Sequence, residues 1–366
     1  AQGKVAGSTM VGNEEAPDAL VAVIADSKAA AQVASAASGL TCCIFSSHAR
    51  VPDTVATAVM QALQLELDET KECSRREAHV ALLTLLVELC SERSQDLQAV
   101  AKVLVELPPA PPRGCSKRFT ADEEPMPVTL LHRILMIMAD EFEETLAGCS
   151  FVHGCHLLAL AISAEEGLPE LLCRMGALRM VAHCLQEVGR LDTDVTVEQR
   201  RHLMATEWLP FADAAMRLMH AVVCAPSFHA SSDPAASEVL DASMSTMHRV
   251  LPEGGTCLSV QPIHVHGLSI LGKMARLTQD LGQRILHTNG MPLGIRVLAI
   301  AGATCDDVSL ALWYLSQLGN VSRHSAKKLA ALGAEELAHR AIDKYSASKD
   351  VHEQAARVIQ ACRPRI

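Results

Sequence analysis

The stretch VHGLSILGKMAR, which opens at Val265, returns as VSLALWYLSQLG from Val308, with the two opening valines 43 residues apart. A third stretch, VHGCHLLALAIS from Val152, shares the grammar: a leading Val, then apolar positions at helical spacing. Each is followed by a Gly: Gly176 in LLCRMGAL, Gly290 in LHTNGMPL and Gly333 in LAALGAEEL. A tight turn between helices wants a residue that reaches positive φ without strain, which explains the Gly. A unit of about 40 residues cannot bury its own apolar face, so successive units must stack on one another. The period therefore predicts an all-α, elongated helical solenoid of roughly six to eight units, a fold whose usual product is a binding surface rather than a reaction.

Composition points the same way. The chain has 366 residues, 49% of them hydrophobic, which is ample for a core, yet only 3% are aromatic. Dominance of Val, Ile, Leu and Ala favours helix-on-helix packing over aromatic-rich strands. Basic residues number 32 against 42 acidic ones, a net charge of −10, and no basic block stands out. Phosphate binding needs clustered Lys and Arg, so nucleic acid is not the expected partner. Thirteen cysteines, an odd number without dense spacing, point to a reducing intracellular compartment, the cytoplasm. Those in apolar helical runs (Cys90, Cys173, Cys184, Cys224, Cys362) read as small hydrophobes. The opening AQGKVAGSTMVGNEEAP lacks the cationic start and apolar run of a secretory signal, and its Ala1 is what a cut from a longer protein would leave. The longest apolar run, VALLTLLVELC from Val80, is too short to span a bilayer and contains Glu88, so no membrane insertion is expected.

Along the chain, residues 1–16 read as a tail and 17–107 as degenerate helical repeats. Residues 108–128, PPAPPRGCSKRFTADEEPMPV, hold six prolines that forbid a continuous helix, so they read as an exposed loop. Residues 129–366 carry the recognisable repeats and close on the helix VHEQAARVIQAC, expected to cap the stack with a polar outer face.

ALWYLSQLG from Ala311, MGAL at Met175–Leu178 and LGAEEL at Leu332–Leu337 resemble the third helix and the interhelical turn of armadillo repeats. The resemblance implies a right-handed superhelix whose third helices line a concave groove. In the nuclear-import adaptors of that family, a ladder of Trp and Asn on successive third helices holds an extended basic peptide. Here Trp313 takes the Trp position, but Gln317 stands where Asn would. Aligning the other copies on their opening Val gives Ile270 and Met274 in one, Leu157 and Ala161 in the other. There is no ladder, which argues against a nuclear-import adaptor. The expected contact stripe is Lys273, Trp313, Gln317 and Asn320: Trp313 and Gln317 are four apart, Asn320 continues the row, and Lys273 is the polar break one repeat earlier.

Reactive constellations are thin. His264 and His266 form an H-x-H triplet, a metal-site opening when it ends a β-strand, but on a helix residues two apart diverge. Cys149, His153 and His156 share one helical face and are the weak candidates for a metal, needing further ligands from elsewhere. No C-x-x-C partner exists, and packing at the core boundary explains them as well. The adjacent Cys42 and Cys43 are poorly placed to chelate or to bond each other. Glycine-rich EGGTC at Glu253–Cys257 reads as a turn, and Asp140, Glu141, Glu143 and Glu144 as a solvated helix face. No nucleophile-elbow, phosphate-loop or dinucleotide motif is present.

These residues describe a non-catalytic scaffold or adaptor that needs no cofactor and holds a protein segment in its groove. Alternatives are a structural subunit of a large assembly, a chaperone cofactor resembling the Hsp70 nucleotide-exchange factors, and a helical metallo-enzyme built on Cys149, His153 and His156.

Overall fold

A computed structural model describes residues 16–27, 29–46, 52–64, 72–106, 129–144, 149–190, 208–229, 235–251, 261–300 and 302–363. Residues 1–15 of the expected 1–16 tail and the whole of the proline-rich 108–128 segment lie outside the described residues; Ala16 begins the first helix. Among the described residues there are eighteen α-helices and no β-strand. No described helix is long and apolar enough to cross a membrane. The chain divides into two compact units, residues 1–171 and 172–366.

The first unit holds α1 (Ala16–Asp26), α2 (Ala30–Ser46), α3 (Val55–Gln64), α4 (Glu72–Glu92), α5 (Ser94–Val105), α6 (Leu130–Glu144) and α7 (Cys149–Ile162). Helices α2, α4 and α7 stack in that order, while α1, α3 and α6 form a second row against them. The core is the leucine face of α4, where Leu82, Leu83, Leu85, Leu86 and Leu89 are all buried. Burying each such side chain contributes about 1.5–3 kcal/mol, and this continuous apolar seam holds the unit together. Arg93, which precedes α5, makes no side-chain cap and instead pairs with Asp53 and with Asp96 at 3.0 Å.

The division between the units falls inside α8 (Leu168–Arg174). The second unit continues with α9 (Ala177–Arg190), α10 (Leu209–Cys224), α11 (Ala236–Val250), α12 (Gln261–Leu277), α13 (Gln279–His287), α14 (Met291–Leu298), α15 (Cys305–Gly319), α16 (Arg323–Ala331), α17 (Ala334–Lys344) and α18 (Lys349–Cys362). Helices α10, α12, α15 and α18 stack side by side in one row; α9, α11, α14 and α17 back them in a second. The last two units of three helices, α13–α15 and α16–α18, are punctuated alike. Thr278 and Ser322 cap the first helices, Thr304 and Ser348 the third, each accepting a backbone N–H from three residues on. Each such cap contributes about 1 kcal/mol and fixes where its helix begins. The closing helix α18 is thus the third helix of the last unit, with Val351, Ala355 and Val358 buried and Glu353, Ala356 and Arg357 exposed.

Structure also corrects the register. Gly176 and Gly333 do adopt positive φ, 74° and 72°, as the turn chemistry requires. Gly290 does not, at φ −68°; the left-handed residue there is its neighbour Asn289, at φ 63°. Asn tolerates this conformation, which frees Gly290 for a different task. A Cβ at 290 would stand 2.8 Å from the Ile285 carbonyl oxygen, so Gly is kept there by close approach. Counted from Asn289 to Gly333, the repeat step is 44 residues, one more than the opening valines suggest. Burial agrees: the order of buried and partly exposed positions over 263–276 recurs without exception over 307–320, again 44 residues on. Val265 therefore corresponds to Ser309 rather than Val308.

Candidate functional site

The third-helix row of the second unit is tied laterally by side chains roughly one repeat apart. His264 and His266 diverge around α12, as a helix demands. His264 Nε2 lies 3.1 Å from Asp307 Oδ1 of α15, both residues buried. His266 Nδ1 lies 3.2 Å from His220 Nδ1 of α10. The triplet thus pins α12 to its neighbours on both sides. Asp307 is also the third residue of a capping box with Thr304, accepting from its backbone N–H and hydroxyl, both at 2.8 Å. Burial pulls the Asp307 carboxyl up, but the hydrogen bonds from Thr304 and His264 outweigh it and hold the group below the usual carboxylate range. Burial, joined by His220, Arg217 and His264, pushes His266 down to about 3; burial lowers His220 as well.

Behind the row, Tyr314 is fully buried and donates to the Gly290 carbonyl at 2.9 Å. Its hydroxyl cannot ionise in ordinary conditions because burial raises it far. In front, Trp313 is half-buried and lies against α12, where a Cβ at Gly272 would meet its ring at 2.3 Å. The Gly272–Trp313 pair is therefore an interhelical contact: only a residue without a side chain lets the indole lie this close to the helix. Ser316 is buried and donates to the Trp313 carbonyl at 2.7 Å, while Gln317 Nε2 donates to Ser316 Oγ at 3.2 Å.

Gln317 and Asn320 open into a cleft of about 670 Å³ between α15 and α18. Across it stand Arg357, Gln360 and Arg363, with Ser316 at its floor. Of the four stripe residues read from sequence, the structure brings Gln317 and Asn320 into one cleft. Trp313 sits a turn earlier on the same face of α15. Lys273 takes on α12 the register position that Gln317 takes on α15, beside Cys224 of α10, whose thiol is raised by burial and drawn back by that ammonium. Register also replaces the alignment residues: Ile270, Met274, Leu157 and Ala161 are all fully buried core. Ser269 and Lys273 are the partly exposed counterparts of Trp313 and Gln317.

Arg357, Gln360 and Arg363 are not marked as site residues by the sequence, where VHEQAARVIQAC reads only as a closing cap. A usable signal was there: its Ser348 repeats Thr304 of α15, the same kind of N-cap residue 44 positions on. On α7, Cys149 is exposed and His153 and His156 half-buried, with burial lowering His153. Among the described residues no group of three or more His, Cys, Asp or Glu side chains gathers to hold a metal. Cys90 and Cys184 are buried, and burial pushes each thiol up to about 12.

No protein-family model matches this sequence, and no curated protein matches it either. Solved structures do resemble it. An engineered protein aligns at a TM-score of 0.53 with 13% identity, covering 98% of this chain and 84% of that one. A designed armadillo repeat protein aligns at 0.51 with 12% identity, over 83% of this chain and 98% of that one. A second designed armadillo repeat protein, solved in complex with the peptide (KR)4, gives 0.50 and 11% identity over the same shares. Likeness at these identities speaks to fold alone. The fold is an all-α, armadillo-like repeat stack, the class typical of protein-binding scaffolds.

Proposed function

We propose that this chain is a non-catalytic interaction scaffold that holds an extended segment of a partner protein across α12, α15 and α18, with Lys273, Trp313, Gln317 and Asn320 in contact with it. The observation that carries this reading is the cleft itself, where Gln317 and Asn320 of one third helix face Gln360 of the next. A side-chain amide offers both donors and an acceptor, the complement of a peptide unit whose backbone is left unpaired in an extended chain. Trp313 adds a flat apolar surface at the head of the amide row, suited to aliphatic side-chain stems. The designed armadillo protein bound to a peptide supports the mode of binding without fixing the partner.

The test is a peptide display selection on the purified protein, followed by titration of selected peptides against variants. Trp313→Ala is expected to weaken capture by about 2 kcal/mol, the scale of a binding hot spot. Gln317→Ala with Asn320→Ala is expected to lose about 1 kcal/mol per amide hydrogen bond. Peptides that bind both variants as tightly as the parent would place the binding surface elsewhere.

A further inference from the structure

The cleft between α15 and α18 is chemically one-sided. Its lining among the described residues includes two guanidinium groups, Arg357 and Arg363, three amides, Gln317, Asn320 and Gln360, and no carboxylate. This bias occurs in a chain with ten more acidic than basic residues. The outward positions of α12 continue it: Lys273, half-buried, and Arg276, exposed, stand on α12 where Gln317 and Asn320 stand on α15. We infer that the partner segment is acidic, placing an Asp or Glu side chain between Arg357 and Arg363 while the amides hold its backbone. The inference rests on the groove reading above and names the class of segment the groove selects.

Carboxylates near the cleft do not cancel the charge. Arg357 is paired with Glu353 one turn back on α18, at 2.5 Å, and its other terminal nitrogen reaches Gln354 at 3.4 Å. Both members of that ion pair are about half exposed, at 48% and 51%. Such exposed i, i+4 pairs contribute only about 0.3–0.5 kcal/mol, so a second carboxylate entering from the cleft can share or replace Glu353 at little cost. A guanidinium has five donors, and two of its nitrogens can take one carboxylate together. Arg363 follows the last turn of α18, where its backbone N–H bonds the Gln360 carbonyl. That carbonyl end of the helix favours a cation, so Arg363 is at home there before any ligand arrives. A basic segment such as (KR)4 would meet two like charges in a half-enclosed cleft, and no lining carboxylate among the described residues would offset them.

Fluorescence anisotropy with two labelled, C-terminally amidated octapeptides, (DE)4 and (KR)4, tests the inference at low and at high salt. The expected result is binding of (DE)4 alone, weakening at least tenfold at high salt and again in Arg357→Gln with Arg363→Gln. Arg357→Lys should retain most of it. Both arginines are exposed, so the variants should keep the parental helix content by circular dichroism. Tighter binding of (KR)4, binding of (DE)4 that ignores the arginine variants, or no binding of either peptide overturns the acidic assignment. A free-acid (DE)4 that binds while the amide does not would overturn it in favour of a chain terminus. The display selection decides the parent reading separately. Groove-dependent peptides lacking acidic residues leave the scaffold standing without this inference, whereas no groove-dependent peptide at all removes both.

Discussion

The first unit and the last six helices use the same two-row stacking yet specify it differently. In the first unit, α2, α4 and α7 are held by a run of leucines with no side-chain cap at the start of α5. In α13–α18 the helices are shorter, and Thr278, Thr304, Ser322 and Ser348 set their starts, with Asn289 and Gly333 in the turns. A repeat is visible in sequence where its boundaries are written in polar punctuation. Where an apolar seam does the same work, many residue choices satisfy it and no period survives to be read.

Truncation on each side should break or uphold that contrast most clearly. Leu86→Ala removes a fully buried side chain from the seam of α4, and a loss of about 2–5 kcal/mol is expected in the hydrogen-exchange protection of that helix. Thr304→Ala, the matching loss of punctuation, should cost about 1–2 kcal/mol in α15, since Asp307 also loses the hydroxyl that donates to it. Equal costs in the two units would mean that caps and seams are not alternative devices, and the contrast would fall.

Acid provides a second probe, because each unit keeps a neutral imidazole. His79 in α4 is pushed down to about 4, chiefly by burial and then by Arg133 and Arg75, and His266 in α12 down to about 3. Both sit below their unfolded value, so the unfolded chain binds the extra protons. Stability is therefore full above about pH 6.5 and declines as pH falls toward the folded values, by at most ~1.4 kcal/mol per pH unit for each group. Urea titrations at pH 7 and pH 5 should show the decline, and His266→Gln should flatten it in the second unit alone. A midpoint that does not move across this range would show that these imidazoles take up protons in the folded state.

Much of the fold was legible. The helical stretches from Val152, Val265 and Val308 are third-helix segments, and the Gly176 and Gly333 turns have the positive φ that their residue type suggested. What failed was a single residue of register, with physical causes in Asn289 and Gly267. The eye follows Gly, but the turn before α14 uses Asn, which reaches the same conformation through tolerance rather than freedom. The other register mark is a small residue under a crossing helix. A Cβ at Gly154 would meet Met138 Sδ at 2.5 Å, and one at Gly267 would meet Met247 Sδ at 2.1 Å. Such close approaches are written on two helices at once and cannot be seen along either. The candidate site was half legible for the same reason: Gln317 and Asn320 lie on one helix, while Arg357 and Gln360 become their neighbours only through the packing of α15 on α18.

The smallest effects should settle the register at the turns. If Asn289 is the true counterpart of Gly333, exchanging the two residue types should be nearly silent. Gly333→Asn keeps a residue that tolerates φ near 72°, and nothing stands within 4 Å of a new Cβ there, so its cost should be no more than about 1 kcal/mol. Asn289→Gly should be equally mild. Gly290→Ala is the control that separates the two alignments. Its φ of −68° suits any residue, so a turn argument predicts no effect at all. The packing argument predicts otherwise. The new methyl would lie 2.4 Å from Ile285 Cγ2, 2.8 Å from the Ile285 carbonyl oxygen and 2.9 Å from the Tyr314 hydroxyl. A backbone oxygen cannot swing aside as a side-chain tip can, so about 1–3 kcal/mol of overpacking strain is expected, together with a weakened Tyr314 hydrogen bond to the Gly290 carbonyl. Thermal melts of the three variants read the order directly. A silent Gly290→Ala beside a costly Gly333→Asn would return the repeat step to the one the opening valines suggest.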